Sequence, residues 1–127
     1  MAGHQVKSFN PSSHDPDRAL QAWAILIGMA QRRESTTYEL LSEKMFHRPA
    51  AGVLARILGH VAFFCEDRGL PPLTAIVVNK GTGIPGSSIP IDLSEVSELR
   101  EKVYREDWYD ILPPSPEELA AAYSNHI

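Results

Sequence analysis

Apolar positions recur at steps of three and four along most of this chain, and the pattern switches to a β-branched run only once. The first helical signal opens at Asp15-Pro16, an N-cap residue followed by a proline suited to the first helical position. Leu20, Trp23, Ala24, Ile27 and Ala30 then share one face, Ile25, Leu26 and Met29 widen it, and Gln31-Arg32-Arg33 closes the helix with charge that suits a C-terminal dipole. Thr36-x-x-Glu39 has the form of a capping box and predicts a short helix from Thr37 to Phe46, with Tyr38, Leu41 and Met45 inward. After a turn at residues 47–49, Pro49 fits the start of a third helix carrying Val53, Leu54, Ile57 and Leu58. Gly59 is a point where that helix bends or breaks. The pattern resumes through Val61, Phe63, Phe64 and Cys65 and stops at Gly69, a C-terminal cap.

The β-branched run is Thr74 to Asn79, read as a strand. Lys80 to Gly83 makes a turn, and Ile84 to Ile89 returns as a short edge strand interrupted by Pro85 and Gly86. Asp92-x-x-Glu95 starts another helix, running to about Glu106, with Val96, Leu99, Val103 and Tyr104 inward and Glu98 paired with Lys102. Trp108-Tyr109 and Ile111-Leu112 read as an extended segment. Ser115-Pro116-Glu117-Glu118 then combines N-cap, proline and capping-box glutamate ahead of a last helix from Pro116 to Tyr123. The expected fold is mainly α with a small β-hairpin: a winged helix-turn-helix with appended C-terminal helices. Residues 1–14 form a flexible N-terminal arm, 15–90 a winged-helix-like core, and 91–127 an acidic helical extension packing on it.

Composition narrows the class of function. The 127 residues suit one domain, and the 43% hydrophobic and 22% charged fractions are those of a soluble globular chain. A net charge of -4 counts against a surface that grips nucleic acid everywhere. The charge is uneven, at +2 over residues 1–80 and -6 over 81–127. Any phosphate-facing surface therefore belongs to the first part, and the acidic part faces solvent, a basic partner or a second copy. One cysteine, Cys65, precludes an intrachain disulfide and fits a reducing cytoplasm. The apolar stretch from Ala22 to Ala30 is far short of a membrane span, so the expected location is cytoplasmic, with no membrane partner.

Candidate chemistry is sparse. No two histidines have zinc-motif spacing and one cysteine completes no structural site, so no metal or other cofactor is expected. Cys65, beside Phe64 on an apolar helix, reads as a small buried hydrophobe and not a nucleophile. The glycine-rich Gly81 to Gly86 lacks the Lys-Ser/Thr ending of a phosphate loop and reads as a hairpin turn. Paired carboxylates at Glu66-Asp67, Glu106-Asp107 and Glu117-Glu118 lie at helix ends or charged faces. No catalytic residue is assigned.

The order of elements resembles the DNA-binding winged-helix domain of the O6-alkylguanine-DNA alkyltransferases and alkyltransferase-like proteins. The resemblance rests on a capped helix with Thr37-Tyr38, a Pro49-led helix, and a strand ending in Val77-Val78-Asn79 before a glycine turn, and spans roughly residues 20–90. That family enters its strand with Pro-Cys-His-Arg, where this chain has Leu73-Thr74-Ala75-Ile76. Thr74 stands at the nucleophile position and Ala75 at that of the activating histidine. The family's Arg-Ala-Val-Gly on the recognition helix is matched by Gly52-Val53-Leu54-Ala55, so its intercalating arginine is absent, and Arg56 lies one turn further on. The resemblance implies a fold and DNA binding, not alkyl transfer, which needs the thiolate.

On this reading the DNA-facing residues are Arg48, Arg56 and His60 of the third helix and its approach, with Lys44, His47 and Lys80 on the wing adding charge. Each also reads as a solvated polar residue of an amphipathic helix. The expected function is noncatalytic binding of double-stranded DNA or a DNA-linked regulatory role. The alternative is a protein-interaction module, engaging a protein partner or a second copy through the acidic C-terminal segment with Trp108 and Tyr109 as aromatic anchors.

Overall fold

The computed structural model describes residues 6–10, 13–79 and 96–126. Five helices dominate: α1 Asp15–Gln31, α2 Tyr38–Phe46, α3 Ala51–Asp67, α4 Val96–Arg105 and α5 Pro116–Asn125. Among the described residues two 3₁₀ turns, Leu73–Ile76 and Trp108–Asp110, join them. The fold is mainly α, and its sheet is small and parallel. Strand β1, Thr36–Thr37, lies beside β2, Val77–Val78, with Thr36 opposite Val77 and Thr37 opposite Val78.

The run expected to be a strand from Thr74 therefore divides. Leu73 to Ile76 coil into a fully buried 3₁₀ turn after Pro71-Pro72, and only two residues remain extended, matching the two-residue partner that precedes α2. The returning strand at 84–89, the Lys80–Gly83 turn and the capping box at Asp92 lie outside the described residues.

Helix α3 is the axis of the molecule. It packs against α1, α5, α2 and the first 3₁₀ turn, burying Leu54, Ile57, Leu58, Val61, Phe64 and Cys65. Gly59 does not interrupt it: the helix is continuous, and the glycine makes room for Tyr123 of α5, whose Cε1 would stand 3.1 Å from a Cβ there. Across the core run three rings in edge-to-face contact. Trp23 of α1 meets Phe64 of α3 at 5.6 Å and Trp108 at 5.6 Å. The side of α1 that is buried is Arg18, Ala19, Ala22, Trp23, Leu26 and Ala30. Leu20 and Ile27 are only half-buried and Ala24 is exposed, so the helix is rotated from the expected face. Three alanines on the inner face let α3 approach closely.

Helix starts differ from expectation by a residue or two. Helix α1 begins at Asp15 itself, with His14 in the cap position and no capping side chain. Thr37, not Thr36, caps α2, accepting the Leu40 N–H at 3.1 Å, because Thr36 is committed to β1. Gly69 ends the α3 region in the left-handed conformation, φ +67°.

Helix α5 has the complete capping box: Glu118 N–H donates to Ser115 Oγ at 3.1 Å, and Ser115 N–H donates to Glu118 Oε1 at 2.9 Å. Arg68 at the end of α3 donates to the other carboxylate oxygen at 2.9 Å. The Ser115 N–H first, and Arg68 after it, hold the Glu118 carboxyl below the usual carboxylate range. A carboxyl whose pKa is depressed by folding contributes stability above its unfolded pKa and loses it as pH falls through the folded value. Acidification below about pH 4.3 is therefore expected to fray the first turn of α5, read as faster amide exchange at residues 116–119, and Glu118→Gln is expected to flatten that response.

Candidate nucleic-acid interface

Helix α2, the connection at residues 47–50 and the first turns of α3 form a sharp corner, and the helix axes turn by 95° across it. His47 stops α2 by adopting the left-handed conformation, φ 60° and ψ 24°, while its N–H still reaches the Glu43 carbonyl at 2.9 Å. Arg48 is kept out of the helical region by the proline after it. Pro49 lies before α3 and not at its first position, and Ala50 takes the cap position without a side-chain hydrogen bond. No acidic residue occupies the first turn of α3. That helix thus opens with backbone N–H groups and a positive dipole end that its own first turn does not neutralise.

Around this corner the cations differ from four arginines elsewhere that have carboxylate partners. Arg32 pairs with Glu34 at 3.0 Å, Arg33 with Glu101 at 3.0 Å, Arg68 with Glu118 at 2.9 Å, and Arg105 with Glu101 at 3.3 Å. Lys44 and Arg48 are exposed, and no carboxylate among the described residues pairs with either. His47 is exposed between them.

The remaining expected contacts separate from this group. Arg56 is exposed but its Nε donates to Asp15 Oδ2 at 3.0 Å, tying α3 to the start of α1. His60 is a core residue, 4% exposed, and is not on the outer face of α3. Its ring stacks on Tyr123 at 4.1 Å, and its Nδ1–H donates to the Arg56 carbonyl at 2.7 Å. The reason is α5, which covers the face of α3 that the helical projection leaves open. Helix α3 reaches the surface at its two ends, through Ala51, Gly52 and Arg56 in the first turns and Glu66 and Asp67 in the last. Gly52 faces open space, so Gly52→Ala is expected to raise stability by about 0.5–1 kcal/mol through helix propensity, measurable as an upward shift of the thermal midpoint. Lys80 lies outside the described residues.

Two groups with potential reactivity are sealed. Burial pushes the Cys65 thiol up to about 12, against a smaller opposing effect of a hydrogen bond with the Leu73 backbone. It carries no thiolate at neutral pH. Thr74 is fully buried and its hydroxyl finds no hydrogen-bond partner. Among the described residues no three His, Cys, Asp or Glu side chains converge on a metal-sized site.

At the other end of the molecule Trp108 is a core residue and not a surface anchor. It is fully buried, with its indole N–H donating to the Val103 carbonyl at 2.8 Å. Residues 108–110 form a 3₁₀ turn where an extended segment is expected, and that turn drives the indole inward. Tyr109 remains outside, 66% exposed, near Leu112 at 87%.

The sequence pattern gives no notice of Arg18, which sits 6% exposed beside the α2 terminus and touches Phe46, Met45 and Gln21. The available signal is its place four residues ahead of Ala22 and eight ahead of Leu26, at the head of the stripe that the core takes. Among the described residues no single helix is long and apolar enough to cross a membrane. No family model matches the chain, and neither curated proteins nor solved structures offer a match.

Proposed function

We propose that this is a noncatalytic, cytoplasmic DNA-binding or DNA-linked regulatory protein that uses α2, the 47–50 connection and α3 as a helix-turn-helix within a winged-helix domain. The observation that carries the reading is the pair of cations, Lys44 and Arg48, left without carboxylates among the described residues at a 95° corner that opens on a helix N-terminus with no acidic residue in its first turn. Two helices crossing at about 90–120° over a short turn are the proportions of that motif. A phosphate at this corner meets backbone N–H groups, the helix dipole and two side-chain cations together. The likeness to alkyltransferase-like domains belongs to the same proposal, supported by the order of elements. The inert Cys65 and Thr74 support the noncatalytic part.

Buried along most of its length, α3 brings few side chains to base edges. Arg48 and Arg56 are the groups suited to guanine, and the rest of the corner meets phosphate. Binding with weak sequence preference follows. The test is duplex-DNA affinity measured against salt. We expect a salt slope that Lys44→Ala/Arg48→Ala reduces by about two, one for each phosphate no longer neutralised. Absence of binding at low salt would sink the reading.

One observation favours a second reading. Tyr109 and Leu112 are exposed at 66% and 87% in the acidic C-terminal segment, an aromatic and an aliphatic anchor available to a protein partner or a second copy. A dimer in light scattering of the same sample, abolished by Tyr109→Ala, would favour it.

A further inference from the structure

A cleft of about 440 Å³ runs between the arm residues Phe9-Asn10 and the end of α2, and Lys44, His47 and Arg48 form its other wall with Arg18 at its floor. Arg18 is an unusual floor. Its guanidinium lies between two aromatic rings, 4.6 Å from the centroid of Phe9 and 4.5 Å from that of Phe46. Its Nη1 donates to Gln21 Oε1 at 2.9 Å and to the Met45 carbonyl at 2.8 Å. Its Nη2 donates to the Asn10 carbonyl at 3.4 Å. A buried guanidinium is ordinarily matched by a carboxylate, because an uncompensated charge in the interior is costly. Here its partners among the described residues are neutral oxygens and ring faces, and no Asp or Glu among those residues lines the cleft.

We propose that this cleft binds a phosphate group, with Arg18 as the fixed fork and Lys44 and Arg48 closing over it from the rim. The chemistry follows from what is present and what is missing. Two rings hold the guanidinium plane in place, so little side-chain entropy is lost when its edge meets an oxyanion. Three cations, Arg18, Lys44 and Arg48, line the cleft with no carboxylate among the described residues there. The carbonyl end of α2 opposes an anion with about half a charge, and its Met45 carbonyl already accepts from Arg18. A planar fork with two point charges suits the several acceptor oxygens of phosphate better than it suits an apolar ligand. Phe9 and Phe46 flank the site as faces on which a ring attached to that phosphate can lie. The site shares Lys44 and Arg48 with the proposed DNA surface. It rests on Arg18, however, and does not require a duplex.

Inorganic phosphate is the probe, titrated at constant ionic strength set with sodium chloride, and followed by amide and arginine Nε signals in nuclear magnetic resonance. We expect a saturable response centred on Arg18 and residues 44–48. Arg18→Lys keeps the charge and removes the fork, and is expected to weaken phosphate binding by at least about tenfold. If that variant does not fold, Lys44→Ala/Arg48→Ala, both at exposed positions, is expected to weaken it comparably. No saturable response, the same response to chloride alone, or a response that the folded variant leaves unchanged would each overturn the proposal. A short DNA duplex identifies the source of the phosphate. Competition between duplex and inorganic phosphate places a backbone phosphate in the cleft, while phosphate binding without duplex binding assigns the cleft to a free phosphate compound. Either result upholds the site, and the second ends the DNA reading alone.

Discussion

Trp108→Ala is expected to remove about 3–5 kcal/mol of folding stability, most of what a domain of this size has, since totals run at about 5–15 kcal/mol. Trp108 is fully buried and stands edge-on to Trp23, which stands edge-on to Phe64. That chain of rings connects the 3₁₀ turn after α4 to α1 and then to α3. Truncation leaves a cavity beside α1 and α4 that closes only if those helices move. It also removes the shorter hydrogen bond to the Val103 carbonyl, one of the last carbonyls of α4, and leaves that oxygen the Glu106 N–H at 3.4 Å. Trp108→Phe separates the two contributions. It keeps much of the ring packing and removes the N–H donor, for an expected cost of about 1–2 kcal/mol. Urea unfolding followed by far-ultraviolet circular dichroism measures both. An alanine variant within about 1 kcal/mol of the parent would show that Trp108 does not organise the core.

Trp108 reads as a surface anchor in the sequence for a physical reason. An aromatic pair between an acidic helix and a proline-rich stretch has the composition of an interface and of a core plug alike. Only the 3₁₀ turn decides which ring goes in, and Trp108 enters while Tyr109 does not. The same limit applies to α1. Apolar residues occupy nearly its whole circumference, so their period cannot select a face, and close packing on Ala19, Ala22 and Ala30 decides it. Caps and local turn chemistry are more legible: the Ser115 box, the left-handed Gly69 and the five helical segments stand close to where the local pattern places them. His60 fails for a long-range reason, since α5 begins more than fifty residues later and no local period announces that it will cover α3. The β-branched run at Thr74–Asn79 is shortened likewise by its partner, because Thr36–Thr37 can match only two residues.

The corner at residues 44–48 owes its charge to the same distribution of partners. Acidic residues from distant segments pair with three of the other exposed arginines: Asp15 reaches Arg56, Glu101 reaches Arg33, and Glu118 reaches Arg68. A chain of net charge -4 can therefore present a local positive site without a basic composition. Average charge along the sequence dilutes that feature, while pairing in the fold isolates it.

Arg18 supplies the second large effect, and two substitutions divide its roles. Arg18→Ala is expected to cost about 2–4 kcal/mol, from a charge-assisted hydrogen bond to a carbonyl at about 1.5–3 kcal/mol and ring interactions at about 0.5–2 kcal/mol each, less the relief of a desolvated charge. It removes the stem that fills the space between Phe9 and Phe46 as well as the donor to Met45. Arg18→Met keeps an apolar stem of similar length and removes the charge. Buried charges replaced by well-packed apolar groups are often neutral or stabilising, so this variant is expected to lie within about 1 kcal/mol of the parent. Denaturant unfolding of the two variants side by side checks the difference. A methionine variant as unstable as the alanine one would make the guanidinium a structural cap on α2 and nothing more. A methionine variant as stable as the parent means that the fold does not need the positive charge, the condition under which the proposed phosphate site gives Arg18 its reason to be charged.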